Sequence, residues 1–338
     1  MAGGIKLAIV GATGAVGQEM LKLLAERNFP LQDLFVVADP REAGKTVSFN
    51  DKDLIVQAAS PEIFAQADAA LFAVDSSISK ILAPMAIENK CLVIDNSNAF
   101  RMDEKVPLVV PEVNAEDIKL HQGLIANPNC STIIMVVAIN PIHKAVGIER
   151  VVVSTYQAVS GAGAAGIDEL SAGVAAYQDQ VKLEPKVFQH PIAFNVIPHI
   201  DVFEANDYTR EEMKMVFETR KIMHAEDIRI AATAVRVPVY RSHSEAISIE
   251  TKTHITPEQV RDILKQAPGV IVQDQPGENH YPMPLYAANK DEVYVGRIRE
   301  DISSNKGIML WVAADQIRKG AATNAIQIAE YVVEHNLY

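Results

Sequence analysis

The sequence predicts an α/β protein of two domains: a parallel sheet covered by helices on both faces, then an α+β domain built on a mixed or antiparallel sheet. Three observations point there. A strand, a glycine loop and a helix follow one another at the amino terminus, and strands and helices then alternate as far as residue 129. Beyond Cys130 the texture changes to β-branched runs separated by long loops.

Ile5 to Val10 reads as a buried strand, Gly11 to Gly17 as a tight loop, and residues 18–27 as a helix whose apolar positions are Met20, Leu21, Leu23 and Leu24. Further strands are expected over 34–38, 69–74 and 92–95, with a helix over 78–88. Another helix starts at Cys130, and later strands fall at 151–155, 230–239 and 246–251. A final helix over 321–334 carries Ala325, Ile328, Tyr331 and Val332 at helical spacing and is expected to return to the first domain. The resulting division is 1–129 completed by 321–338, and 130–320.

At 338 residues, 49% hydrophobic and 22% charged, the chain is long enough for two cores. Its 31 basic against 43 acidic residues give a formal charge of −12, with no basic tract to neutralise a phosphate backbone, so nucleic acid is not an expected partner. No apolar run approaches the roughly 20 residues that span a bilayer, and the start carries no charged leader pattern; a cytoplasmic protein without membrane contact is expected. Two cysteines provide neither a disulfide framework nor a zinc site, and Cys91, inside a strand-like run, reads as a buried core thiol.

The loop Gly11-Ala12-Thr13-Gly14-Ala15-Val16-Gly17 sits between strand and helix, as a dinucleotide fingerprint requires: backbone approaches a pyrophosphate that the helix N-terminus then holds. Its glycine spacing departs from the strict form, and a plain tight turn is the competing reading. With the loop, the first domain reads as a Rossmann-type dinucleotide-binding domain. After the second strand, Asp39 and Glu42 favour NAD, whereas Arg41 and Lys45 favour NADP.

Cys130 stands where the Pro-broken loop Asn127-Pro128-Asn129 gives way to an apolar helix-length run. Unpaired N–H groups in a helix's first turn stabilise a thiolate by about 1–2 kcal/mol, too little alone to ionise a thiol fully at pH 7, so a second group must help. Taken by itself, Cys130 reads more readily as a small core hydrophobe than as a catalyst.

Together with this cysteine and the glycine loop, the segments Pro107 to Asn114, Tyr156-Gln157-Ala158-Val159-Ser160-Gly161-Ala162-Gly163, Arg236-Val237-Pro238-Val239-Tyr240-Arg241-Ser242-His243, Val295 to Arg299 and Arg318 to Asn324 resemble the bacterial aspartate-semialdehyde dehydrogenase family nearly end to end. The resemblance implies reversible, NADP-dependent and phosphate-requiring interconversion of aspartate semialdehyde and aspartyl phosphate through a cysteine thioester. That reaction leads toward lysine by way of diaminopimelate, and toward threonine, isoleucine and methionine. It also implies a homodimer or homotetramer built through the second, catalytic and dimerisation, domain. N-acetyl-glutamyl-phosphate reductase and a non-catalytic paralogue are the alternatives.

Residue by residue, the resemblance makes Cys130 the nucleophile, His243 the acid/base, Gln157 an orienting amide and Asn129 a holder of the acyl oxygen. Substrate contacts fall to Arg101 and Lys221 at the phosphate, Arg236 at the carboxylate and Glu218 at the ammonium; without it, Glu218 and Lys221 are a solvated ion pair three residues apart on a helix. Ser160, Gly161, Gly163 and Asn324 join the glycine loop, Asp39 and Arg41 as cofactor contacts, and inorganic phosphate is a substrate. Asp39, Glu42 and Asp75 depart from the family pattern and leave room for NAD use. Arg236 and His243 are an odd number of residues apart, so a turn near 240–242 is needed to aim both at one site.

Overall fold

The computed structural model describes residues 4–338; Met1 to Gly3, part of the start read above as leader-free, lie outside the described residues. The chain divides into two compact units, residues 4–129 with Ala321–Tyr338, and Cys130–Gly320.

The first unit is a parallel six-stranded sheet in the order Gln57–Ala58, Leu31–Ala38, Ile5–Val10, Ala69–Phe72, Leu92–Asp95, Leu124–Ala126. Alternation along its central strand sends Ile5, Leu7 and Ile9 to one face, where Leu23 and Leu24 from helix Ala15–Glu26 and Ile328 and Val332 from helix Thr323–Glu334 cover them. Ala8 and Val10 face the other way, onto Ala83 and Ala86 of helix Ser76–Glu88. Burial of both faces explains the unbroken apolar runs. Cys91 packs into the second of these layers, and burial pushes its thiol up to about 12, where it is inert.

The second unit holds a mixed sheet in the order Arg229–Arg236, Ile148–Gln157, His243–Thr251, Gly307–Ala314, Val293–Glu300, Val270–Val272. Its outer pairs are parallel and its inner pairs antiparallel. Helices Cys130–Val146 and Arg210–Met223 pack together beside it.

Boundaries move where local chemistry overrides periodicity. The first helix opens at Ala15, directly after Gly14, and the second strand opens at Leu31 because its exposed Gln32 and Asp33 break the apolar pattern. The final helix starts at Thr323 behind a π-turn at Arg318–Ala322. The strand expected to reach residue 239 stops at Arg236, before Pro238, and the next begins at His243 rather than 246. Between them Ser242 takes φ 76°, the left-handed turn that the Arg236–His243 spacing demanded.

Candidate active site

Cys130 is the first residue of helix Cys130–Val146, so its sulfur sits among N–H groups that have no intrahelical acceptor. Its Sγ lies 3.5 Å from Nε2 of His243, the opening residue of strand His243–Thr251. His243 is fully buried and its Nδ1 accepts the Ala158 N–H at 3.0 Å. Burial, with the Arg236 charge second, holds the imidazole well below its usual pKa. The carbonyl of the same Ala158 accepts a 2.8 Å bond from Arg236 Nη1, so one residue fixes both side chains.

Arg236 ends its strand paired with Gln157 in the parallel ladder, and its guanidinium lies 5.7 Å from the Phe188 ring. Burial pulls this guanidinium down from its usual pKa, while Glu211 and Cys130 push it back, which places both within electrostatic reach. Gln157 is buried; its Nε2 donates to Glu211 Oε1 at 3.2 Å and to Thr155 Oγ1 at 3.3 Å. Lys214 Nζ donates to the other Glu211 oxygen at 3.1 Å and to Asp201 at 2.9 Å. A capping box between Thr209 and Glu212 fixes where this helix begins, and hence where Glu211 and Lys214 stand.

The residues expected at the ammonium and the phosphate stand elsewhere on this helix. Glu218 and Lys221 lie seven residues further along Arg210–Met223, and Glu218 is 1% exposed. The Glu-x-x-Lys pattern occurs twice in this helix, one heptad apart, and the carboxylate hydrogen-bonded to Gln157 belongs to the first copy. Periodicity cannot choose between copies on one helical face.

Gly161 also takes a place beside this cluster. A Cβ there would lie 2.7 Å from Arg236 Nη1 and 3.4 Å from the His243 ring, so close approach to those side chains explains the missing side chain. Ser160 Oγ accepts from Gln316 Nε2, and Gln316 Oε1 accepts the Ser242 N–H, tying the turn before His243 to the segment after Gln157. Gly163 has φ +74° with open space around it.

In the first unit, Gly11 has φ +90°, and a Cβ there would meet Ala73 O at 2.3 Å, so only glycine closes the turn that leads into Gly14, Ala15, Val16 and Gly17. The loop fits a pyrophosphate at the helix N-terminus. Thr13 Oγ1 donates to Glu42 Oε2 at 2.5 Å, and Lys45 reaches the other Glu42 oxygen at 3.2 Å. Asp39 takes a two-pronged ion pair from Arg41, Nε to Oδ1 at 2.8 Å and Nη2 to Oδ2 at 2.9 Å, and these hydrogen bonds lower the carboxyl to about 2. Asp75 is exposed before helix Ser76–Glu88. Arg101, 7% exposed, donates from Nε to Asn127 O and from Nη2 to Asn96 O. Asn129 is buried just ahead of the cysteine.

Asn324 is the remaining residue expected at the cofactor. It is fully buried, and Nδ2 spends its hydrogens on Val109 O and Asn127 Oδ1, so its side chain braces the segment before the nucleophile. Among the described residues no cluster of His, Cys, Asp and Glu could hold a metal, and no helix is long and apolar enough to cross a membrane.

Two family profiles match the chain: a semialdehyde dehydrogenase NAD-binding domain over residues 6–121 and a semialdehyde dehydrogenase dimerisation domain over 139–319. An aspartate-semialdehyde dehydrogenase of Aquifex aeolicus is 55% identical, over 99% of each chain. The chain belongs to the aspartate-semialdehyde dehydrogenase family. An aspartate semialdehyde dehydrogenase II from Vibrio cholerae, solved complexed with ASA, superposes with a TM-score of 0.95 at 49% identity over 98% of each chain. The Candida albicans aspartate semialdehyde dehydrogenase solved with NADP gives a TM-score of 0.77 at 26% identity, covering 99% of this chain and 100% of that one.

One group in this member of the aspartate-semialdehyde dehydrogenase family was not visible in the sequence. Glu245, two residues along from His243 on the same face of its strand, is fully buried, and neither carboxyl oxygen has a hydrogen-bond partner. Burial alone raises its carboxyl well above the usual range, which favours the protonated form. An unfolded chain ionises there near pH 4.3, so the folded state's advantage is intact below that pH and declines as pH rises. The stability gain of Glu245→Gln over wild type is expected to grow between pH 5 and 8, by up to about 1.4 kcal/mol per pH unit. Urea unfolding at several pH values measures this, and a pH-independent difference would mean that the folded carboxyl is ionised.

Proposed function

We propose that the chain is an NADP-dependent, phosphorylating aspartate-semialdehyde dehydrogenase, and that Cys130 carries the acyl group. The observation that carries this reading is the 3.5 Å approach of His243 Nε2 to a cysteine at a helix N-terminus, beside Arg236 and Glu211. The thiolate attacks the carbonyl carbon of aspartyl phosphate, the C–O bond to phosphate breaks, and a thioester forms; covalent catalysis divides one hard displacement into two. A bound nicotinamide cofactor, held on the Gly11 to Gly17 loop, supplies the hydride chemistry. Arg236 matches the substrate α-carboxylate with a bidentate fork, and Glu211 is a buried carboxylate suited to its α-ammonium. That pairing favours the aspartyl substrate over an N-acetylated one, whose amide nitrogen carries no charge. Lys214 and Arg101 are the cations assigned to phosphate, with Gln157 and Asn129 aligning the acyl carbon.

The working form in this reading is a homodimer built through residues 139–319, or a tetramer of such dimers, in the cytoplasm. The test is the initial rate of nicotinamide reduction with L-aspartate 4-semialdehyde, comparing NADP with NAD and phosphate with none. Phosphate-dependent reduction is the expected result, and no reduction with either cofactor by folded protein with a free Cys130 thiol would overturn the reading.

Cofactor choice turns on the pair Asp39–Arg41. With Asp39 closing on the Arg41 fork, the cation best placed for a 2′-phosphate is already occupied. Asp39→Ser is expected to raise the NADP/NAD ratio of kcat/KM about tenfold. Equal ratios in variant and wild type would remove Asp39 from discrimination.

A further inference from the structure

We infer that Asp315 is a positioning residue for Cys130 and His243: one buried carboxylate ties the turn that delivers His243 to the turn that packs against Cys130, and so sets the separation of Sγ and Nε2. The inference rests on the reading of Cys130 as nucleophile and of His243 as its acid/base partner.

Asp315 directly follows strand Gly307–Ala314, whose last residue pairs with His243 across the antiparallel ladder. It is fully buried. Oδ1 accepts the backbone N–H of Ile317 at 2.9 Å and of Arg318 at 3.1 Å, and the Asp315 carbonyl accepts the Gly320 N–H at 3.1 Å. These bonds fold residues 315–320 into a fixed turn, the effect an aspartate has when it binds the backbone just ahead of it. Gly320 is thereby held against the nucleophile: a Cβ on it would stand 2.9 Å from the Cys130 Cβ and 3.3 Å from its Cα.

The other oxygen serves the histidine. Oδ2 accepts from Arg241 Nε and, at 2.6 Å, from the Asn289 N–H. Arg241 precedes Ser242, whose left-handed φ of 76° turns the chain into His243. Gln316 Oε1 accepts the Ser242 N–H at 2.8 Å, so Ala314, Asp315 and Gln316 grip His243, Arg241 and Ser242 in turn.

Four N–H donors converge on the Asp315 side chain, so the group between them must accept on both sides, which a carboxylate does and an amide does not. In Asp315→Asn, Nδ2 faces either the Ile317 and Arg318 donors or the Arg241 and Asn289 donors, and the turn it faces is released. The reacting groups tolerate little of this: a misplacement of about 1 Å costs on the order of 100-fold in rate. Thiolate formation depends on the same separation, because the helix N-terminus alone does not ionise the thiol and the neighbouring imidazole has to help.

The test pairs steady-state kinetics with the pH dependence of Cys130 alkylation by iodoacetamide, read by mass spectrometry, with buried Cys91 as internal control. Asp315→Asn is expected to lower kcat about 100-fold while KM for aspartate semialdehyde and for NADP stays within about threefold. The midpoint of Cys130 alkylation is expected to rise by about one pH unit. Loss of a negative charge would by itself move that midpoint down, so an upward shift reports the geometry. Arg241→Gln releases the His243 side alone and is expected to lower kcat about tenfold, with KM again unchanged. A rise in KM without loss of kcat, an alkylation midpoint in Asp315→Asn that stays or falls, or wild-type kcat in Arg241→Gln would overturn the inference. Activity that falls only in step with a lowered urea midpoint, at an unchanged alkylation profile, would overturn it too, by making Asp315 merely structural. Should Asp315→Asn not fold, Arg241→Gln decides. In a wild type inactive on aspartate semialdehyde the alkylation profiles still test the clamp, and only the enzymatic reading falls.

Discussion

Cys130→Ser is expected to lose at least about 10³-fold in kcat, some 4 kcal/mol of barrier, while binding NADP and unfolding much as the wild type does. The exchange replaces one atom, but the helix N-terminus that sustains a thiolate cannot ionise a hydroxyl at neutral pH. Gly320 packs closely here, since an added Cβ would meet the Cys130 Cβ at 2.9 Å, and the exchange to serine leaves that Cβ unchanged. Steady-state rates together with trapping of a labelled acyl group on the denatured protein measure the outcome. Wild-type turnover in the variant would dismiss Cys130 as the acyl carrier.

Glu211→Gln should raise KM for aspartate semialdehyde by about 10- to 100-fold, the value of a charge-assisted hydrogen bond of 1.5–3 kcal/mol, and should do so more than Glu218→Gln. The amide keeps an acceptor for Gln157, but it withdraws the negative charge that faces Lys214 and Arg236. Glu218, one heptad away in the packed middle of its helix, is expected to alter unfolding rather than substrate affinity. Parallel kinetics and urea melts on both variants separate the cases; a KM effect confined to Glu218→Gln would return the ammonium site to the second copy of the repeat.

Much of this architecture was legible because burial on two faces writes long apolar runs into a sequence: the strand at Ile5 and the helix at Cys130 needed no tertiary information. The turn ahead of His243 was legible for a geometric reason, since parity along a strand forbids two same-site residues at odd spacing unless the chain bends. Register within a helix was not. Glu211 and Glu218 share their spacing to a lysine, and only the strand carrying Gln157 distinguishes them. Glu245 was hidden because a buried acid leaves no pattern, being spelled like any surface glutamate. The hydrogen bonds of Asn324 were not legible either, being set by partners some two hundred positions distant, at Val109 and Asn127.

Helix Thr323–Glu334 supplies Ile328 and Val332 to the core formed by Ile5, Leu7 and Ile9. During synthesis, the strands that precede residue 129 thus wait for a helix that follows residue 320, while the intervening 191-residue unit Cys130–Gly320 has all of its own sheet already in hand. The order of maturation is therefore inverted relative to chain order: the unit Cys130–Gly320 can settle first, while the part of the parallel sheet that helix Thr323–Glu334 covers waits for that helix to emerge.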